Sequence, residues 1–528
     1  MAALLPPDVA QEDFDRALAE FRAIVGDEWV MTGQVERDSY LDAFAPGDAQ
    51  SHAASGAIAP ESAEQVQAVV KVANKYRIPL WPESTGRNLA YGGAAPVMKG
   101  TMVLDLKRMN RILEINTELG YALVEPGVTF FDFFDALQAK GYTYWMSGPA
   151  PGWGSIIGNY LEHGCGYTPY GTHADQICGL EVVMPDGDLL RTGMGGTGAT
   201  EEWQAFRFGY GPVWDGLFTQ SNFGVVTKMG IWLMPAPGAV ANVNVQLPGD
   251  DDLIPLVDTI RPLRLNDTLN ATYTLINPYR GIIDPYAVGG VPRESIYDGK
   301  GAIPMDIVKR ELKKLNLGMW GLNTNVFDNT AEGLEIKLKA IKTAFEKIPG
   351  ARVTFQRWHP GEPLPGWARQ QPILFFFGVV DWYGGPGGHA NYAPVCAPYG
   401  ERVMTYYRSI ADRYVEYGFD PYVGFLSMGQ RALLINSTMQ FNKDDDEQTG
   451  RARDLYATLT KDGTGQGLGD YRAHISFMDH VAGMYKFNDH KQRRLNEFVK
   501  DALDPNGIIA PGKQGIWPAR YRTMRTKI

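Results

Sequence analysis

His389 stands directly behind four glycines and a proline in "YGGPGGHANYAPV", Tyr383–Val395. Gly384, Gly385, Gly387 and Gly388 supply no side chain for either ring nitrogen, so the run either turns tightly or lets something bulky approach the backbone. Taken alone, it reads more readily as a surface loop with an incidental imidazole. Two other stretches combine glycines with small polar residues: "ESTGRNLAYGGAAP" (Glu83–Pro96) and "GWGSIIGNYLEHGCGYTPYGTHADQICGLEVV" (Gly152–Val183). Such loops expose consecutive backbone N–H groups, which suit a pyrophosphate. Two in one region favour a large phosphate-bearing cofactor over a plain loop. In "GDYRAHISFMDHVAGMY", Tyr471 sits beside Arg472, two donors that can hold a phenolate or a carboxylate.

Other chemistries leave no trace. The sequence has no phosphate-loop lysine motif, no H-E-x-x-H and no G-x-S-x-G elbow. A literal G-x-G-x-x-G occurs at Gly193, Gly195 and Gly198, with Asp215 at the acidic distance. Among 60 glycines in 528 residues, roughly one such match arises by chance, and this one follows a hairpin rather than opening a βαβ unit. His474 and His480, six apart, suit neither a helical face nor a usual metal spacing, so no metal is expected.

The elements around these stretches describe the scaffold. A capping pattern at Ser62 opens a helix with Val66, Val69, Val70 and Ala73 on one face. A strand over 78–81 leads into the first glycine loop, and "TMVLDL" is a second strand. Thr129 with Asp132 caps another helix, "GLEVVMPDGDLLRTG" is a hairpin across Pro185-Asp186-Gly187, and "NFGVVTKMGIWLMP" reads as a strand pair. After "MPAPGA" the texture shifts to amphipathic helices such as "MDIVKRELKKL" and aromatic strands such as "PILFFFGVVDWY". The fold class is α+β, with one unit over 1–240, a second over 241–488 and a Gly/Pro-rich segment, 489–528, that packs back on the first.

Composition bounds the partners. A formal charge of -10 argues against nucleic acid, and no apolar run is long enough for a membrane span. Three scattered cysteines and no secretory signal point to a reducing, cytoplasmic setting, in which the sequons at Asn266, Asn270 and Asn436 are chance matches.

In order and spacing, "STGRNLAYGG", "GWGSIIGN", "GCGYTPYG", "GGHANYAPV", "DYRAH" and "DPNGIIAPGK" resemble the vanillyl-alcohol oxidase/4-cresol dehydrogenase family of flavoproteins. The resemblance covers nearly the whole chain and is strongest to the bacterial eugenol oxidase branch. It implies a two-subdomain FAD-binding domain and a cap domain over the flavin ring. FAD phosphates would lie against Ser84, Thr85, Gly86, Arg87 and Asn88, with further contacts at Ser155, Gly158, Asn159, Gly224 and Val225.

It also implies that His389 carries FAD covalently through the 8α-methyl group. The 4-cresol dehydrogenases use a tyrosine, which brings in Tyr392. In an extended segment 389 and 392 point to opposite faces, so only one can meet the flavin. Tyr91, Tyr471 and Arg472 match the family's phenolate-binding trio, and Asn391 and Phe425 are carried over as substrate-pocket residues. Where the family's oxidases have an aspartate near flavin N5, this chain has Ser147. The implied reaction is oxidation of a para-substituted phenol by hydride transfer to flavin N5 through a p-quinone methide. Oxygen would be reduced to hydrogen peroxide, or electrons passed to a cytochrome or copper protein. The family favours homodimers.

Overall fold

A computed structural model of the chain describes residues 4–149, 151–198, 201–363, 365–367 and 377–526. Near the N-terminus, Ser62 Oγ accepts the Gln65 N–H and starts the helix Ala63–Tyr76, which buries Val66, Val69, Val70 and Ala73. Arg77 ends it in the left-handed conformation (φ 56°) and turns the chain into the strand Leu80–Glu83. That strand runs parallel to Met102–Asp105, which pairs in turn with Ala57–Ile58; Val30–Met31 closes the four-stranded sheet. Loops at the carboxyl ends of parallel strands are where open α/β sheets hold ligands. The Ser84–Asn88 loop occupies that position.

A five-stranded antiparallel sheet follows, in the order Ile112–Asn116, Tyr121–Val124, Val225–Trp232, Ile177–Val183, Leu189–Arg191. Its last two strands form the hairpin expected across 185–187, with Gly187 at φ +85°. Thr129 and Asp132 make the reciprocal cap of the helix Phe130–Ala139. The stretch expected as a strand pair is one long strand, Val225–Trp232, and a two-residue remnant, Met234–Pro235, which pairs with Tyr144–Trp145.

The remaining strands form a nine-stranded sheet between 239 and 470. At its functional end, Ala432–Asn442 pairs with Val423–Met428 on one side and with Gly387–Tyr392 and Pro394–Cys396 on the other; Gly469–Asp470 extends the sheet beyond Pro394–Cys396. One face of these strands carries Ala390, Tyr392, Phe425, Ile435 and Met439 into an apolar core shared with the helices Leu253–Leu265 and Gly400–Glu416. The helix expected at "MDIVKRELKKL" is present as Met305–Lys314. "PILFFFGVVDWY" is corrected in part: Phe377–Val380 is helical, and the preceding residues lie outside the described ones.

The C-terminal segment returns to the first sheet. Leu80 donates its N–H to Ile508 O (2.6 Å) and accepts from Ala510 N–H (2.7 Å), adding a short parallel bridge beside the strand that leads into the Ser84 loop. No helix among the described residues is long and apolar enough to cross a membrane.

Candidate active site

A cavity of about 380 Å³ lies where the two lobes meet, bounded by the Ser84–Gly93 loop, the 154–162 segment, the inner face of the nine-stranded sheet and Tyr471–Ala473. Ser84, Thr85, Gly86, Arg87, Asn88, Ser155, Gly158, Asn159, Gly224, Val225 and His389 all line it, as do Tyr91, Asn391, Tyr471 and Arg472.

The loop residues divide into contact-makers and builders. Asn88 Oδ1 accepts the N–H groups of Tyr91 (3.0 Å) and Gly93 (3.2 Å), so the asparagine shapes the loop that presents Tyr91. Ser155 Oγ accepts the Gly158 N–H and donates to Pro126 O (2.6 Å), fixing the start of the short helix Ile156–Leu161. A Cβ at Gly158 would come within 2.8 Å of Ser84 Oγ, so the two loops approach at a point that needs glycine. Gly86 (φ +64°) has the same requirement for a backbone reason. Bare backbone from two loops, Arg87 and Lys513 together suit the phosphates and ring edge of FAD. The residues present therefore fit that cofactor.

His389 comes up through the floor of the sheet. Its strand pairs His389 with Gln440 and Asn391 with Thr438, and the Thr438 hydroxyl donates to Asn391 Oδ1 (2.5 Å). His389 Nδ1 bonds Leu89 O at 2.9 Å, which makes it the protonated nitrogen and leaves Nε2 with a lone pair. Burial lowers the imidazole pKa to about 4, with the Leu89 bond opposing. The ring is neutral at physiological pH. Tyr392, three residues on, points into the core, 1% exposed, with its ring 6.0 Å from that of Tyr456.

At the sheet's far edge, Tyr471 and Arg472 follow the Gly469–Asp470 strand. Arg472 Cζ lies 3.8 Å from the Tyr91 ring centroid and 5.3 Å from that of Tyr471. Its N–H bonds Asp470 Oδ1 and one terminal nitrogen donates to Glu162 O (3.3 Å), while buried Nε has no acceptor among the described residues. Burial opposes the Arg472 charge, but Tyr471, Tyr91 and Glu162 hold its pKa above the ordinary value. Burial raises Tyr471 well above the ordinary phenol range, with Arg472 opposing, so its hydroxyl stays a donor. Asp470, pushed by burial to about 7, accepts the Tyr456 hydroxyl at 3.2 Å and ties the segment to the core. The trio is a half-buried cation between two phenol side chains, with one buried N–H that has no acceptor among the described residues.

Two expected residues stand elsewhere. Phe425 is fully buried on the opposite face of its strand, 6.2 Å from the Tyr407 ring and 6.4 Å from Trp320; its neighbour Leu426 lines the cavity. A strand alternates faces, so the pocket position is one residue away. Ser147 is not among the described residues that line the cavity: a Cβ at Gly166, between the lining residues Cys165 and Tyr167, would meet both its Oγ and His173 Nε2. Its hydroxyl is buried and unpartnered among the described residues. His173, stacked 4.4 Å from Tyr160, is lowered by burial to about 3 and stays neutral.

The structure adds cavity residues that motif reading passed over: Tyr167, Arg280, Tyr422, Asn436 and Thr438. Tyr167 lies within the "GCGYTPYG" motif and Asn436 and Thr438 within a sequon, while Arg280 and Tyr422 stand in no motif. The chance G-x-G-x-x-G is a 3-10 turn, Gly193–Thr197, and Asp215 is buried against Thr192 and Gly179. His474 accepts the Ser476 N–H at Nδ1 and donates from Nε2 to buried Asp42 Oδ2 at 2.7 Å, and no cluster of three metal-ligating residues occurs among the described residues.

Comparison with known proteins places this architecture. Residues 54–193 match the FAD binding domain, and residues 322–514 match the C-terminal domain of FAD linked oxidases. The 4-cresol dehydrogenase [hydroxylating] flavoprotein subunit of Pseudomonas putida is 36% identical over 97% of this chain and 98% of its own length. Among solved structures, 4-ethylphenol oxidase from Gulosibacter chungangensis, in complex with isoeugenol, superposes with a TM-score of 0.92 at 37% identity, over 98% of this chain and all of that one. Substrate-bound p-cresol methylhydroxylase gives 0.92 at 35%, over 98% and 99%. The chain belongs to the vanillyl-alcohol oxidase/4-cresol dehydrogenase family and is a flavin-dependent oxidoreductase.

Proposed function

We propose that the protein oxidises para-substituted phenols, with FAD joined to His389 and oxygen as the electron acceptor. The observation that carries this reading is the trio Tyr91, Tyr471 and Arg472 in the cavity the flavin loops line, a half-buried cation whose buried Nε lacks an acceptor among the described residues. A free phenol has a pKa near 10, so ionising it at pH 7 takes about 4 kcal/mol of differential stabilisation. One desolvated guanidinium and two hydroxyl donors aimed at one oxygen are of the right size. Protonated Tyr471 donates, and Arg472 balances the charge.

The phenolate pushes electrons through the ring toward its para carbon, and bound FAD would supply the hydride acceptor there. Loss of hydride leaves the substrate as a p-quinone methide, which adds water or loses a proton from the next carbon to give an alkene. Ser147 is not among the described residues that line the cavity, and a serine hydroxyl is too weak a base at neutral pH to replace a carboxylate. Water addition therefore runs without a carboxylate from that position, and 4-alkylphenols are expected to give a substantial share of 4-alkenylphenol.

His389 supports covalent attachment by its exposure to the cavity, its neutral ring and its free Nε2 lone pair. The same serine also favours a second reading, in which electrons pass to a cytochrome or copper protein as in a dehydrogenase. Purified holoprotein shaken in air with 4-ethylphenol separates the two. Peroxide formed in step with product supports the oxidase; turnover that needs an added dye or cytochrome supports the dehydrogenase. No product with any acceptor contradicts both. A homodimer is part of the proposal, to be read from sedimentation.

A further inference from the structure

The cavity contains a second guanidinium. Arg280, on the helix Pro278–Val288, is 8% exposed and lines the cavity from the side opposite the phenolate trio. Its Nε donates to Asp284 Oδ2 at 3.0 Å, and the Tyr422 hydroxyl donates to Asp284 Oδ1 at 2.5 Å. Its Cζ stands 5.3 Å from the Tyr422 ring. One terminal nitrogen fills the space over Gly424, where a Cβ would collide with it. That glycine faces the cavity in the strand Val423–Met428, opposite Asn436, which also lines the cavity. The terminal NH1 and NH2 groups make no hydrogen bond with any described residue. A guanidinium has five donors, and these terminal ones are not sealed in the protein interior but open on the cavity. Nothing in the phenol chemistry at Arg472 uses them.

The sheet sets the spacing. Gly424 and the Tyr471–Arg472 segment flank the strands Val423–Met428, Ala432–Asn442, Pro394–Cys396 and Gly469–Asp470, in that order. Three strand spacings separate the two ends, roughly 14 Å. A para-substituted phenol held at Arg472 with its long axis along the sheet would carry its side chain toward Arg280, which lines the same cavity. Resting on the phenol-oxidase reading, we infer that Arg280 is a specificity determinant that donates hydrogen bonds to an oxygen at the end of the para side chain. The substrate class is then a 4-hydroxyphenyl compound whose side chain ends in a hydroxyl or a carboxylate, rather than a plain 4-alkylphenol. Asp284 already offsets the arginine charge, so both a neutral and an anionic oxygen are admissible acceptors. A site built to bond an oxygen discriminates strongly against the analogue that lacks it.

The test compares 3-(4-hydroxyphenyl)propan-1-ol and 3-(4-hydroxyphenyl)propionate with 4-propylphenol. The readout is the ratio of kcat/KM for each oxygen-ended phenol to that for 4-propylphenol, in wild type and in the double variant Arg280→Met/Asp284→Asn. The double change removes the ion pair as a unit, so no carboxylate is stranded. A fall of tenfold or more in the ratio, about 1.4 kcal/mol, is expected for at least one of the two, and which one falls tells a neutral from an anionic acceptor. Arg280→Lys, which retains charge but loses the fork, is expected to fall between. Ratios unchanged in both variants would overturn the inference. Calorimetric binding of the same ligands to holoprotein needs no turnover. If no phenol is oxidised but the oxygen-ended ligands still lose affinity tenfold relative to 4-propylphenol, the phenol-oxidase reading fails and the Arg280 assignment stands.

Discussion

The two faces of the sheet around Ala432–Asn442 are built from the same strands and do opposite work. On the cavity face stand His389, Asn391, Asn436, Thr438 and Leu426, a mostly polar set. On the packed face, displaced by one residue each, stand Ala390, Tyr392, Phe425, Ile435 and Met439, nearly all apolar. Strand alternation alone sorts chemistry from packing. The lesson is that a one-residue error in a strand moves a side chain from the site to the core. His389 and Tyr392, three apart, show the same rule in the other sense: the chain holds both residue types that the family uses for flavin attachment, and only one can reach the cavity.

The contrast predicts that cavity-side substitutions change chemistry while packed-face substitutions change stability. Arg472→Met should cost most. It strands two donors without their cation, and kcat/KM for 4-ethylphenol should fall by about 10²–10³-fold, the cost of breaking a buried charge pair. A loss below tenfold would mean that the phenol ionises without it. Phe425→Ala should lower unfolding free energy by about 3–5 kcal/mol, as a large buried aromatic does. In denaturant melts paired with kinetics of the folded fraction, activity should stay near wild type; a stable protein with altered substrate preference would return Phe425 to the pocket.

His389→Ala should release all flavin on acid precipitation and slow kcat about tenfold, ~1.4 kcal/mol. The wild-type ring has a pKa of about 4 because burial disfavours its charge. FAD incorporation into apoprotein should therefore be insensitive to imidazole protonation from pH 5 to 8 and fall only as pH drops through about 4. A break near 6.5, the value of an exposed histidine, would contradict the buried setting. Tyr392→Phe is the smallest change. The Tyr392 hydroxyl is buried without a partner among the described residues, so its removal should leave flavin attachment intact and stability within about 1 kcal/mol. Loss of acid-stable flavin in this variant would reverse the assignment of the two residues.

Much of this site is written locally. The Ser84–Asn88 loop, the Ser155–Asn159 turn and the Tyr471-Arg472 pair are contiguous, and glycine and capping residues mark them because the backbone conformations demand those types. The Ser62 and Thr129 caps and the 185–187 hairpin were legible for the same reason. Arg280, Tyr422 and Asn436 were not, because their proximity comes from pairing between strands distant in sequence and from a helix laid across Gly424. Phe425 failed on direction rather than location: its neighbour Leu426 lines the cavity, and sequence position alone does not say which way a side chain faces. The Val225–Trp232 strand, expected as two, runs on because it is the central strand of its sheet, with partners on both edges.

The central claim is that Arg472, Tyr91 and Tyr471 activate a phenol by ionising it beside the flavin. Anaerobic mixing of the holoprotein with 4-ethylphenol or with 4-ethylanisole, followed by the visible absorbance of the flavin, tests it without reference to the electron acceptor. The account predicts rapid bleaching by the phenol and none by its methyl ether, which has no proton to lose. Bleaching by the ether at a comparable rate would contradict it.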